Sequence, residues 1–111
     1  MTVQELVNKL NLTVMSGCRG LDREIVGCYV SDLLSDVVGN ATSGNVWLTL
    51  QTHKNVVAVA SLKCLSCVVL VKGLAPSADT MEQSNAEGIP ILSSSLETFE
   101  LAGKIYNLMA F

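Results

Sequence analysis

The sequence predicts a three-layer α/β/α domain on a mainly parallel sheet of four to five strands, and three observations carry that prediction. From Val46 onward a short apolar strand, a polar loop and a helix recur three times, which is the signature of successive βα units. The strand segments are apolar without alternation, as in Cys67-Val68-Val69-Leu70-Val71, so both of their faces must be buried, as in a parallel sheet between helix layers. The chain has 111 residues, and a chain of that size buries roughly two-thirds of its unfolded surface in one core. One domain is therefore expected over residues 1–111, with an irregular α/β part at 1–45, three βα units at 46–111 and right-handed crossovers.

Thr2 and Glu5 form a capping-box pair, and Val3, Leu6, Val7 and Leu10 repeat at helical spacing, so a helix of about two turns opens the chain. Residues 12–16 alternate apolar and polar as a short strand does, 17–20 read as a turn, and 25–30 are a second β-rich run. Residues 32–38 place Leu33, Leu34, Val37 and Val38 on one side of a helix that Gly39-Asn40 would stop. The first βα unit is a strand at 46–50 and a helix from about 52 to 62; the second is a strand at 68–71, a loop at 72–77 and a helix at 78–87 ended by Gly88. The third is a strand at 90–93 and a helix from about 96 to 109, where Ser94 and Glu97 make another capping box.

Two helices differ in pattern. In the last, Glu97, Glu100, Lys104 and Asn107 line up as a solvated face, while Leu96, Phe99, Ala102, Gly103, Tyr106 and Met109 form the stripe expected to be buried. The helix at 55–62, Asn-Val-Val-Ala-Val-Ala-Ser-Leu, is apolar almost all round and needs a cover besides the sheet. A homodimer partner is the expected cover.

Composition supports a partner. Charged residues are 15% of the chain and hydrophobic ones 50%, a low charge density for a small monomer. Net charge is −3 and the seven basic residues are scattered, which argues against nucleic-acid binding. The N-terminal MTVQELVNKL lacks a basic leader and no apolar run approaches a membrane span, so a cytoplasmic protein is expected. Its four cysteines, Cys18, Cys28, Cys64 and Cys67, then default to free thiols.

The candidate site is the carboxyl edge of the parallel strands, where ligands of α/β sheets usually sit. Gln51-Thr52-His53-Lys54-Asn55 joins the first such strand to its helix. With Thr52 as cap, the free helix N–H groups, His53 and Lys54 could face a phosphate or carboxylate; alternatively Thr52 is a plain cap, His53 a surface or interface residue and Lys54 a solvated charge. Gly73, which can take φ > 0, and Ser94 and Ser95 lie on the same rim. The ligand-binding set is thus Thr52, His53, Lys54, Asn55, Gly73, Ser94 and Ser95. A lone His without an acidic partner makes an acid/base enzyme the weaker reading.

Two further clusters carry less. Cys64-Leu-Ser-Cys67 has the spacing of half a zinc site or a redox dithiol, but no second Cys-x-x-Cys knuckle completes it and Cys67 falls in a buried strand. A metal or redox site at Cys64 and Cys67 is thus the lesser alternative, and no cofactor is expected. Asp32 and Asp36 are explained as a capping and a solvated carboxylate rather than as metal ligands.

The segments GCYVSDLLSDVV (27–38), VWLTLQTHKNVVAVASL (46–62) and EGIPILSSSLETFELAGKIYNL (87–108), with LDREI at 21–25, resemble the DRTGG domain family, related to the N-terminal domain of bacterial HPr kinase/phosphorylase. The resemblance covers essentially the whole chain. It implies a regulatory or ligand-sensing α/β domain, found elsewhere fused to phosphotransacetylase, to CBS-domain pyrophosphatases or to the HPr kinase catalytic domain. The motif that gives the family its name is not intact, since Asp22-Arg23 is followed by Glu24-Ile25, and no Walker or Gly-x-Gly-x-x-Gly string is present. The expectation is a stand-alone, non-catalytic regulatory domain binding a small anionic or nucleotide ligand, or a partner protein, through a dimer. The alternative is a structural adaptor docking through helix 55–62.

Overall fold

The computed structural model describes residues 1–109. Its elements run α1 (Val3–Leu10), β1 (Thr13–Ser16), a 3-10 turn (Cys18–Gly20), β2 (Gly27–Val30), α2 (Leu34–Asn40), β3 (Asn45–Thr49), α3 (Asn55–Leu62), β4 (Cys67–Leu70), α4 (Ala78–Glu87), β5 (Ile91–Ser93) and α5 (Thr98–Met109). Five strands form one sheet in the order β1-β5-β4-β3-β2, with β2 to β5 mutually parallel and β1 antiparallel to β5.

Because strands β2 to β5 advance in one direction, right-handed crossovers stack α2, α3 and α4 on the same face. The cores on the two faces follow the alternation of side chains along each strand. Val46, Leu48, Cys67, Val69 and Leu92 point toward Val3 and Leu6 of α1 and Leu101 and Ile105 of α5. Trp47, Val68, Leu70 and Ile91 point the other way, into Val37 of α2 and Val56, Val57, Val59 and Ala60 of α3. The three-layer α/β/α architecture is therefore as the strand pattern predicts, and no helix among the described residues is long and apolar enough to cross a membrane.

The capping box of α1 forms as predicted: the Thr2 hydroxyl accepts the N–H of Glu5, and the Glu5 carboxylate accepts the N–H of Thr2. Other helix starts shift. The helix α3 begins at Asn55 and not near Thr52, because the Thr52 carbonyl accepts the Thr80 hydroxyl at 2.9 Å and the Ser77 N–H at 3.4 Å. Ser94 and Glu97 do not close a capping box on α5; the Ser94 hydroxyl accepts the N–H of Leu96, and the Glu97 carboxylate lies 3.6 Å from Lys72 Nζ. Helix α2 ends at Asn40, within the Gly39-Asn40 stop, and the Asn40 side chain donates back to the Asp36 carbonyl and carboxylate.

Two expectations about burial invert. The helix α3 is covered by α2 and α4, which flank it on the sheet, so its burial is largely met within the chain. It turns only Asn55, Ala58, Ser61 and Leu62 outward, which leaves the adaptor reading a single large apolar contact. In α5 the stripe facing the sheet is Leu101 and Ile105, while Phe99 is 90% and Tyr106 64% exposed. Residues 101, 105 and 108 supply a second apolar series at helical spacing, and the core took that one.

Candidate functional site

The carboxyl ends of β2, β3, β4 and β5 open onto one rim built from four loops. The first two are tied by Asp32, whose carboxylate accepts the Thr49 hydroxyl at 3.0 Å and the Leu50 N–H at 2.7 Å, while its carbonyl accepts the Gln51 amide at 3.0 Å. Asp32 thus caps the end of a neighbouring strand and no helix, a correction to its reading as a helix cap. Trp47 adds to the same junction by donating its indole N–H to the Ser31 carbonyl at 2.8 Å. Asp36, within α2, accepts the Tyr29 hydroxyl at 2.9 Å. The Ser31 hydroxyl and then that of Tyr29 hold its carboxyl below the usual carboxylate range.

The β3–α3 loop closes on itself. His53 Nδ1 accepts the N–H of Asn55 at 3.2 Å, the His53 carbonyl accepts the N–H of Val56, and the Lys54 carbonyl accepts that of Val57. The N–H groups at the start of α3 are thereby taken within the chain, where the sequence suggested that they would be free for an anion. Close by, the Ser77 hydroxyl donates to the Asp79 carboxylate at 2.6 Å. That bond chiefly, with the Lys54 charge a lesser cause, holds Asp79 below the usual carboxylate range. His53, Lys54 and Asn55 are all exposed.

Gly73, Ser94 and Ser95 form another group. Lys72 and Gly73 are both left-handed, at φ 59° and 70°; their N–H groups reach across to the carbonyls of Leu96 and Ser94 at 2.9 and 2.8 Å. This left-handed pair lets the β4 loop bond to the β5 loop, and the space beside Gly73 is open, since a Cβ there would meet nothing within 4 Å. No hydrogen bond among the described residues joins Thr52, His53, Lys54 or Asn55 to Gly73, Ser94 or Ser95. The seven predicted residues thus lie on one rim, in two groups. Ser94 is buried; Ser95 is exposed, and both line a cavity of about 320 Å³ with Lys9, Asn11, Leu96 and Lys104. Nothing in the linear pattern joins Lys9 and Asn11 to this rim, because they enter through the antiparallel pairing of β1 with β5.

The cysteines are dispersed. Cys64 is exposed on a left-handed turn at φ 54° whereas Cys67 is buried in β4. Burial pushes the Cys28 thiol up to about 11 and the Cys67 thiol higher still, so both stay protonated near neutral pH. No group of three or more His, Cys, Asp or Glu side chains among the described residues is placed to hold a metal ion.

Fold and rim together define an α/β/α domain on a mainly parallel sheet whose four strand-end loops meet on one edge. The DRTGG domain family matches residues 5–108, and the chain belongs to it. A solved structure with the same fold is that of the CBS and DRTGG domains of the regulatory region of Clostridium perfringens pyrophosphatase, complexed with its activator, diadenosine tetraphosphate. The two are 10% identical with a TM-score of 0.74, and the match covers 92% of this chain and 44% of that one. This chain thus spans less than half the length of the protein it matches. No curated protein matches it in sequence.

Proposed function

We propose that this DRTGG domain senses a small anionic ligand, nucleotides included, at the carboxyl rim of its sheet, and does so as a cytoplasmic homodimer. The observation that carries the reading is the convergence of four strand-end loops on one edge, the position at which open α/β sheets hold ligands. Thr52, His53, Lys54 and Asn55 offer one polar group on that edge, and Gly73, Ser94 and Ser95 the other. The complex of the pyrophosphatase regulatory region with a dinucleotide supports the ligand class.

The dimer reading rests on the outer face of α5 and the edge strand β2. Phe99 and Tyr106 stand exposed there, and Tyr106, Ala102, Cys28 and Val30 surround an apolar cleft of about 280 Å³. A second copy that covers this face would account for the low charge density of the chain. The cytoplasmic assignment follows from the four free thiols, which suit a reducing compartment.

Titration of the labelled domain with inorganic phosphate, AMP and diadenosine tetraphosphate, followed by amide NMR, tests the ligand reading. Shifts are expected at residues 51–55 or 72–75 and 94–95; a silent spectrum with all three probes removes it. Light scattering is expected to give twice the 11.8 kDa chain mass, and a persistent monomer ends the dimer reading.

A further inference from the structure

We infer that the 320 Å³ cavity between the end of α1 and the start of α5 is the anion site itself, with Lys9 and Lys104 holding the phosphate group of a small phosphate monoester. This rests on the reading of the domain as an anion sensor and names its place. Other residues that complete the lining are Asn11, Ser94, Ser95, Leu10 and Leu96.

The charge arrangement carries the argument. Lys9 belongs to the last turn of α1 and Lys104 to α5, yet both ammonium-bearing side chains line one concavity. Neither has a carboxylate within ion-pair distance among the described residues. Of the other lysines, Lys72 faces Glu97 at 3.6 Å and Lys54 acts on the Asp79 carboxyl, while Lys63 has no ion pair among the described residues but lies alone, with no second cation in a shared cavity. In a chain of net charge −3, these two lysines line one cavity with no ion pair of their own, and a bound anion would supply the missing counter-charge to both. Lys9 also complements the α1 dipole, but that role asks for no second cation across the cavity.

The remaining lining suits a phosphate ester. The Ser94 hydroxyl oxygen already accepts the Leu96 N–H at 3.1 Å, which leaves its O–H to donate. Ser95 and the Asn11 amide add neutral donors to the two charged ones, the mix that phosphate oxygens need. Leu10 and Leu96 provide apolar wall for a small organic portion. A volume of about 320 Å³ lies at the lower end for ligand pockets, which favours a compact monoester over a whole dinucleotide. By contrast, the N–H groups that open α3 are spent within the chain.

Calorimetric titration with inorganic phosphate and AMP, with amide NMR to locate the bound probe, tests this on the full chain. The wild type is expected to show shifts at residues 9–11, 94–96 and 104. The double variant Lys9→Met/Lys104→Met should weaken binding by about tenfold or more, Lys63→Met, outside both the rim and the cavity, should leave it unchanged, and Lys9→Arg/Lys104→Arg should retain it. Both lysines are exposed, so an unchanged thermal melt is expected for each variant and separates lost binding from lost folding. Undiminished binding by the double Met variant, with shifts at 51–55, overturns this inference and leaves the rim-sensor reading standing. Failure of the wild type to bind either probe overturns the inference, and if diadenosine tetraphosphate is silent as well, the sensor reading falls with it.

Discussion

The helices α3 and α5 exchange the roles that their sequences suggest. Helix α3 is apolar almost all round and reads as unfinished without a partner, yet it lies in the middle of a helix layer between α2 and α4, with Val56, Val57 and Ala60 excluded from water. Helix α5 has the pattern of an ordinary amphipathic helix, yet it carries Phe99 at 90% and Tyr106 at 64% exposure. Lateral neighbours decide the difference. Three successive crossovers place three helices side by side on one face, so the central one is walled on both flanks; only α1 and α5 share the other face, and α5 there runs beside the edge strand β2.

The comparison can be broken most sharply at Val57. Its side chain is fully buried against the sheet, so Val57→Asp places an unpaired carboxylate in the core and should cost about 4 kcal/mol or more. That is a large part of the stability of a small domain, and circular dichroism should show a largely unfolded chain. A folded protein with near-native stability would mean that α3 faces solvent after all. Next in size comes Leu101→Ala, expected to lower stability by about 2–5 kcal/mol in urea denaturation. Phe99→Ala, two residues earlier on the same helix, should change it by less than about 0.5 kcal/mol in the monomer. A Phe99 effect as large as that of Leu101, measured where the chain is monomeric, would restore the stripe that periodicity first suggests.

That reversal shows what the sequence contains and what it lacks. Uninterrupted strands such as 67–71 announce a parallel sheet with two covered faces, and Gly88, at φ 66°, ends α4 where its position predicts. Both signals are local. The phase of α5 is not, because residues 99, 102, 106 and 109 and residues 101, 105 and 108 are both acceptable apolar stripes; only packing on Leu48, Val69 and Leu92 selects one. The rim shows the same limit. Its loops follow from the βα repeat, but the Asp32 carboxylate is drawn to Thr49 and Leu50 on the adjacent strand, and Lys9 reaches the Ser94 cavity through strand pairing. Pairings between residues distant in sequence leave no periodic trace in it.

The smallest effect concerns α2, one of the two walls of α3. The Tyr29 hydroxyl on β2 donates to the Asp36 carboxylate on α2, and hydrogen bonds from Ser31 first and Tyr29 second depress the Asp36 pKa. A carboxyl whose pKa is lower folded than unfolded adds stability above its unfolded value, near 3.9, and loses that contribution as pH falls through the folded value. Tyr29 shifts the opposite way: the hydrogen bond to Asp36, then desolvation and the Asp36 charge, raise its pKa. Its contribution is complete below the unfolded value near 10 and disappears as pH rises through the folded one. The attachment of α2 to β2 is therefore intact at neutral pH and weakened at both extremes. Carboxyl NMR titration should place Asp36 below 3.9 in the wild type, raise it in Tyr29→Phe and raise it further in Ser31→Ala. Were both variants to titrate as the wild type does, these hydroxyls would not hold α2, and the cover of α3 on that side would rest on the apolar packing of Leu34, Val37 and Ala41.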